Sequence, residues 1–267
     1  MPASKVTVKA TFAKVGEQPG ISFIDVATGS YYYDAVEWAV ENGVTEGTSA
    51  TTFSPDASCT RAQMVTFLWR ANGSPKATGA NPFTDVQADA YYYDAVLWAV
   101  EKGITSGTSA TTFAPDATVT RGQTVTFLHR ANGSPAVSGS SPFNDVAADA
   151  YYTAAVQWAV TEGVTSGTSA TTFAPNVDIT REQMTVILYG YTAKYAPAFT
   201  GGGTSLGQFP DAGSVANWAY AAMNWAVGNG LISGIESYGV TYLTPQGSAT
   251  RAQASAIIMR YCQLIGQ

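Results

Sequence analysis

Histidine is almost missing: this chain of 267 residues has one, His129. It aligns with Trp69 and Tyr189 of neighbouring copies of a repeat, so it fills an aromatic position and serves no Ser/His/Asp set. Cysteine is nearly as scarce. Cys59 and Cys262 make no metal-ligand spacing. Cys59 stands where other copies carry Val119 and Ile179, which predicts a small buried apolar residue and no disulfide. Charge is sparse too, at 12% of residues, and its balance is acidic, with 13 Lys and Arg against 19 Asp and Glu. A net charge of −6 draws in no polyanion, which argues against nucleic acid and leaves any anion to be held by local contacts. No apolar stretch is long enough to span a membrane, and no secretory leader is visible. Phosphate loops are absent. The repeating acid pairs Asp85/Asp89 and Asp145/Asp149 fall in turns. No enzymatic activity, cofactor or metal is expected.

What is abundant is repetition, the first thing to read in such a chain. Phe23, Phe83, Phe143 and Phe209 recur at steps of 60, 60 and 66 residues. Trp38, Trp98, Trp158 and Trp225 follow at 60, 60 and 67. Three copies are near-duplicates and the fourth has drifted. The second copy gives the pattern. Pro82 to Val86 reads as a short extended opening. Tyr91 to Lys102 places Tyr92, Ala95, Val96, Ala99 and Val100 on one helical stripe, with Trp98 off it. Gly103 followed by Ile104 predicts a Schellman end. A turn-rich loop is pinned by Phe113. Thr120 and Gln123 then form a capping box, starting a second helix that Gly133 and Pro135 stop. The same box recurs at Thr60/Gln63, Thr180/Gln183 and Thr250/Gln253. A unit of this size has little core of its own, so copies must share apolar surface. Residues 193–207, with Gly201-Gly202-Gly203, read as the most flexible linker inside the repeats. Val6 to Phe12 alternates like a strand, the expected tail of a preceding β domain, with the chain a fragment of a larger exported protein.

Inside each box sits an arginine: Arg61, Arg121, Arg181 and Arg251. At the first position of a helix a cation is disfavoured by the dipole, by roughly 0.3–1 kcal/mol. Four such arginines suggest cationic pockets in which the guanidinium and the helix N–H groups hold one anion. The plainer alternative is a solvated arginine, or one paired with Asp85 and its equivalents.

These motifs resemble the S-layer homology family. The resemblance rests on Phe-x-Asp-Val openings, Ala-Val-x-Trp-Ala-Val helices, Gly-(Ile/Val)-Thr-x-Gly, Thr-Phe-x-Pro and Thr-Arg-x-Gln, over residues 21–265. The family's usual motif is Thr-Arg-Ala-Glu, so a carboxylate beside the arginine is lost here. The resemblance implies a mainly α fold of helix–loop–helix repeats packed about a pseudo-threefold axis, with an extra fourth repeat. Expected segments are 1–18, the β tail, then repeats over 19–78, 79–138, 139–200 and 201–267. The implied function is non-covalent anchoring to a bacterial cell-wall polysaccharide, anionic and pyruvylated, in grooves between repeats. The alternative is a protein interaction or self-assembly module. The location implied is the extracellular cell surface, without nucleic acid or membrane insertion, and the chain is expected to be a monomer.

Beside the arginines, three sets are candidates for the ligand. Asp25, Asp85, Asp145 and Asp211 would accept sugar hydroxyls, or else stabilise turns. Trp38, Trp98, Trp158 and Trp225 would stack on a pyranose, or else pack between repeats. Gly47, Gly107, Gly167 and Gly234 would let backbone approach the ligand, or else serve a turn with positive φ.

Overall fold

The computed structural model describes residues 21–30, 32–41, 47–254, 256, 257 and 260. The expected strand over Val6 to Phe12, and Cys262, lie outside them. Each repeat contributes two helices. The first of each pair are α1 (Tyr33–Glu41), α3 (Tyr93–Glu101), α5 (Thr153–Thr161) and α7 (Tyr220–Gly228). The second are α2 (Arg61–Ala71), α4 (Arg121–Ala131) and α6 (Arg181–Tyr195), with helical residues 251–254, 256, 257 and 260 in repeat 4.

The local signals do what their chemistry predicts. Thr120 accepts from the Gln123 N–H at 3.3 Å and Gln123 accepts from the Thr120 N–H at 3.2 Å. Thr60/Gln63, Thr180/Gln183 and Thr250/Gln253 repeat the exchange. α3 ends in a Schellman motif: Gly103 has φ +68°, its N–H reaches Val100 O, and Ile104 N–H reaches Ala99 O at 2.7 Å.

Three local expectations change. The opening segments are turns, not strands, fixed to the loop by bonds such as Thr84 N–H to Thr111 O at 2.9 Å. The added loop residues of repeat 4 make an antiparallel hairpin, β1 (Ile235–Ser237) and β2 (Val240–Tyr242). Its turn is Tyr238-Gly239, with φ of 50° and 75°, and two positive φ values match the twist of such a tight turn. Residues 193–207 are not slack either. Trp225 Nε1 donates to Phe199 O at 2.9 Å, Asn229 Nδ2 donates to Gly201 O at 2.6 Å, and Leu206 is fully buried.

The largest change concerns symmetry. α2 packs on α3, α4 on α5 and α6 on α7, so each second helix meets the first helix of the next repeat. The chain then closes on itself: Ala252, Ala254 and Ala256 of repeat 4 pack among Val36, Ala39 and Ala35 of α1. Backbone bridges follow the same circuit, Thr60 to Thr118, Thr120 to Asp178, Thr180 to Ser248 and Thr250 to Ser58. The arrangement is a closed ring of four, in which repeat 4 is a full member and not an appendage to a threefold spindle. Cys59, Val119, Ile179 and Ala249 line its inner edge, all at most 3% exposed. Cys59 is free, and burial pushes its thiol up to about 12.

The candidate site at the seams between repeats

All four box arginines are buried, Arg61 at 3%, Arg121 and Arg181 at 2% and Arg251 at 0% exposure. Each reaches into the next repeat round the ring. Arg61 Nε donates to Phe113 O and Arg121 Nε to Phe173 O, both at 2.9 Å. Their guanidiniums lie over the rings of those phenylalanines, at 4.8 and 4.6 Å, and Arg251 lies 4.5 Å over Phe53. Cation and ring attract, more strongly where water is excluded. In repeat 4 a leucine, Leu243, replaces the phenylalanine, and Arg181 Nη1 donates instead to Thr244 Oγ1 at 2.7 Å. Burial lowers the affinity of Arg121 for its proton, to about 10, against the opposing pull of Asp145.

The helix starts are not open to an anion. Arg121 N–H donates to Val177 O and Gly122 N–H to Pro175 O, at 3.0 and 2.8 Å. The third N–H is taken by the Thr120 hydroxyl. Arg61/Ala62, Arg181/Glu182 and Arg251/Ala252 repeat this across their own seams. The backbone donors expected to cradle a ligand instead join one repeat to the next.

The aspartates sit beneath the same loops. Asp85 accepts from Phe113 N–H at 2.8 Å and from Ala114 N–H at 2.7 Å. Asp25, Asp145 and Asp211 do the same. The second residue of each pair is left-handed without being glycine: Ser54, Ala114, Ala174 and Thr244, with φ from 44° to 58°. That conformation costs a residue with a Cβ roughly 1–2 kcal/mol, and two charged hydrogen bonds offset it. One peptide is thus held from both sides, its N–H by aspartate and its C=O by arginine. Two substitutions check this. Asp85→Ala should destabilise by about 2–3 kcal/mol, the worth of hydrogen bonds to a charge. Ala114→Gly should stabilise by up to about 1 kcal/mol in a urea titration. A destabilising Ala114→Gly would refute the strain.

The other two sets are also packed. Trp98, Trp158 and Trp225 are 4%, 2% and 2% exposed. Trp158 meets His129 at 5.4 Å and Trp225 meets Tyr189 at 5.2 Å, ring to ring across seams. Trp38 is half-buried against the alanines of repeat 4. With these rings packed, the pyranose platform expected of the tryptophans is not offered at Trp98, Trp158 or Trp225. The close approach at Gly47, Gly107 and Gly167 is to the repeat's own Phe23, Phe83 and Phe143, and at Gly234 to Phe209 and Thr241. Gly107 and Gly234 also need positive φ, 84° and 86°.

Two residues that sequence reasoning passed over lie where the seam opens. Tyr151 of repeat 3 is 53% exposed, bonds to Gln123 and Thr120, and lies near Arg61. Arg130 is half-buried at the end of α4, and its Nη1 donates to Ile104 O at 3.2 Å. In repeat 4 the matching Arg260 donates to Leu231 O and Ser233 Oγ, at 3.3 and 3.4 Å. Between repeats 3 and 4 this seam holds a small, shallow recess, with room for about one water, lined by Arg181, Ile232, Ser233, Gln253 and Arg260 among others. The signal was in the sequence: Arg70, Arg130 and Arg260 each follow a box arginine by nine residues, and Gly190 breaks the series. Among the described residues no acid, histidine or cysteine cluster is suited to a metal, and no helix is long and apolar enough to cross a membrane.

Comparison with known proteins identifies the repeat. The S-layer homology domain matches residues 22–65, 82–125, 142–185 and 208–255. Over 188 residues the chain is 35% identical to the Surface-layer 125 kDa protein of Lysinibacillus sphaericus, covering 70% of this chain and 15% of that protein. It is 32% identical over 192 residues to an endoglucanase of Bacillus sp. (strain KSM-635), covering 70% and 19%. An S-layer protein of Bacillus thuringiensis subsp. finitimus is 27% identical over 187 residues, covering 70% and 22%. The chain thus spans under a quarter of the length of these relatives. Four tandem matches round one closed ring place this chain in the S-layer homology family, whose location is the bacterial cell surface.

Proposed function

We propose that this module anchors a larger protein non-covalently to an anionic, pyruvylated wall polysaccharide, held in the seams between repeats, and that it binds without catalysing. The observation that carries this reading is the shallow recess between repeats 3 and 4, with the half-buried Arg260 in its lining. A carboxylate is the natural partner of a guanidinium, which offers paired donors in a plane. The acidic chain adds no general attraction for polyanions, so local cations must do the holding. Among the relatives, an S-layer protein and an endoglucanase carry this stretch alike, which supports a shared address over a shared activity. One chain completes the ring, in support of a monomer.

The test is sedimentation with purified bacterial walls. The chain should co-sediment with intact walls, less so as salt rises, and stay in solution with walls stripped of secondary polymer by hydrofluoric acid. Equal retention by stripped walls would point to peptidoglycan or protein and end this reading.

A further inference from the structure

We infer that the outer arginine of the second helix, Arg130 or Arg260, is the residue that meets the ligand's charge, while the box arginine is a clasp between repeats. The inference rests on the seam reading above and divides its arginines into two kinds. The box arginines are at most 3% exposed, and Arg61, Arg121 and Arg251 are stacked on rings of the next repeat. A ligand reaching them would have to displace those contacts. Arg130 and Arg260 are only half-buried. Nη1 ties each to the carbonyl of the residue after the Schellman glycine, Ile104 or Leu231, and ties Arg260 to Ser233 Oγ as well. That tether aims a planar cation along the rim of the seam at small loss of side-chain freedom, the pre-organisation that recognition of a carboxylate needs.

The four seams then differ. Seam 1/2 has Arg130, with Tyr151 beside it. Seam 3/4 has Arg260 and the recess. In repeat 1 the sequence carries Arg70, nine residues after Arg61. Seam 2/3 has Gly190, whose Cβ position is filled by the Val164 carbonyl, so no side chain fits. There Arg121 also commits Nη2 to Ser166 O at 3.2 Å. Anion binding belongs to the seams that carry an outer arginine, and seam 2/3 is structural.

The decisive comparison uses the whole chain with Arg70, Arg130 and Arg260 all changed to Gln, against the same three changed to Lys. Gln keeps an amide donor for the carbonyl tether and loses the charge. Lys keeps the charge. Probes are purified walls that retain their secondary polymer, and a thermal melt. The Gln variant should melt within a few degrees of the parent and bind walls about tenfold more weakly or worse, the scale of a lost charged hydrogen bond. The Lys variant should recover most of the binding. Parent-like binding by the Gln variant would overturn the inference, and so would a Lys variant as weak as Gln. If the triple Gln variant does not fold, Arg130→Gln and Arg260→Gln are measured singly under the same criterion. Failure of the parent itself to bind walls would instead sink the polysaccharide reading.

Discussion

Deleting residues 203–267 should leave a chain that neither melts cooperatively nor stays monomeric. By sequence alone, repeats 1 to 3 look self-sufficient, with equal spacing and short linkers. The ring says otherwise. The deletion removes the carbonyls of Gly247 and Pro245 that accept from Arg181 and Glu182 N–H, and the Ala249 carbonyl that accepts from Cys59 N–H. It removes the cover of Glu182, 4% exposed in the whole chain, and its partner Ala216 N–H. It also uncovers two apolar faces, Ala35, Trp38 and Ala39 on α1, and Met184, Val186 and Tyr189 on α6. Apolar surface so uncovered, at about 25 cal/mol per Å², is a large part of a domain's stability. Light scattering and circular dichroism on the truncated chain decide the matter. A monomer with one sharp transition near that of the parent would show that three repeats reclose.

Arg121→Ala should destabilise by about 2–4 kcal/mol, measured as a shift of the urea midpoint at constant slope. The change unpairs the buried carbonyl of Phe173, removes the bond to Ser166 O and leaves a void against the Phe173 ring. Arg121→Lys should recover little, because an ammonium neither stacks flat nor donates from the Nε position. The lone sequence supports the opposite expectation, a binding defect with melting unchanged. An unchanged midpoint would restore that view and make the arginine a ligand residue.

Why the sequence misleads at this residue is physical. A cation at a helix start reads as an invitation to an anion because its actual partners are neutral: a carbonyl and a phenyl ring, 52 residues away for Phe173. Carbonyls leave no mark in a sequence. Signals contained within a few residues were legible. The capping boxes, the Schellman glycine at Gly103 and the pinning role of Phe113 all follow from local spacing, and each is found as expected. Ring closure was not legible, since nothing in repeat 4 says whether its alanines meet α1 or another chain. The Tyr238-Gly239 turn was missed for a simpler reason: tyrosine is not a residue that advertises positive φ. Arg130 and Arg260 were available as a periodic series and were passed over in favour of the better-defined box.

Each seam joins two different surfaces, the donor edge of one repeat and the acceptor edge of the next. In an assembly of separate subunits such a contact is heterologous, and it yields either a closed ring or an endless fibre. Here the angle between repeats closes after four, and all four lie in one covalent chain. The module is a ring of four units closed within a single chain, with every donor edge matched to an acceptor edge. It has no sticky end of its own kind left to offer. Growth of a two-dimensional surface array through this contact is therefore barred, and lattice-forming contacts around such a module have to use its outer faces or the protein it carries.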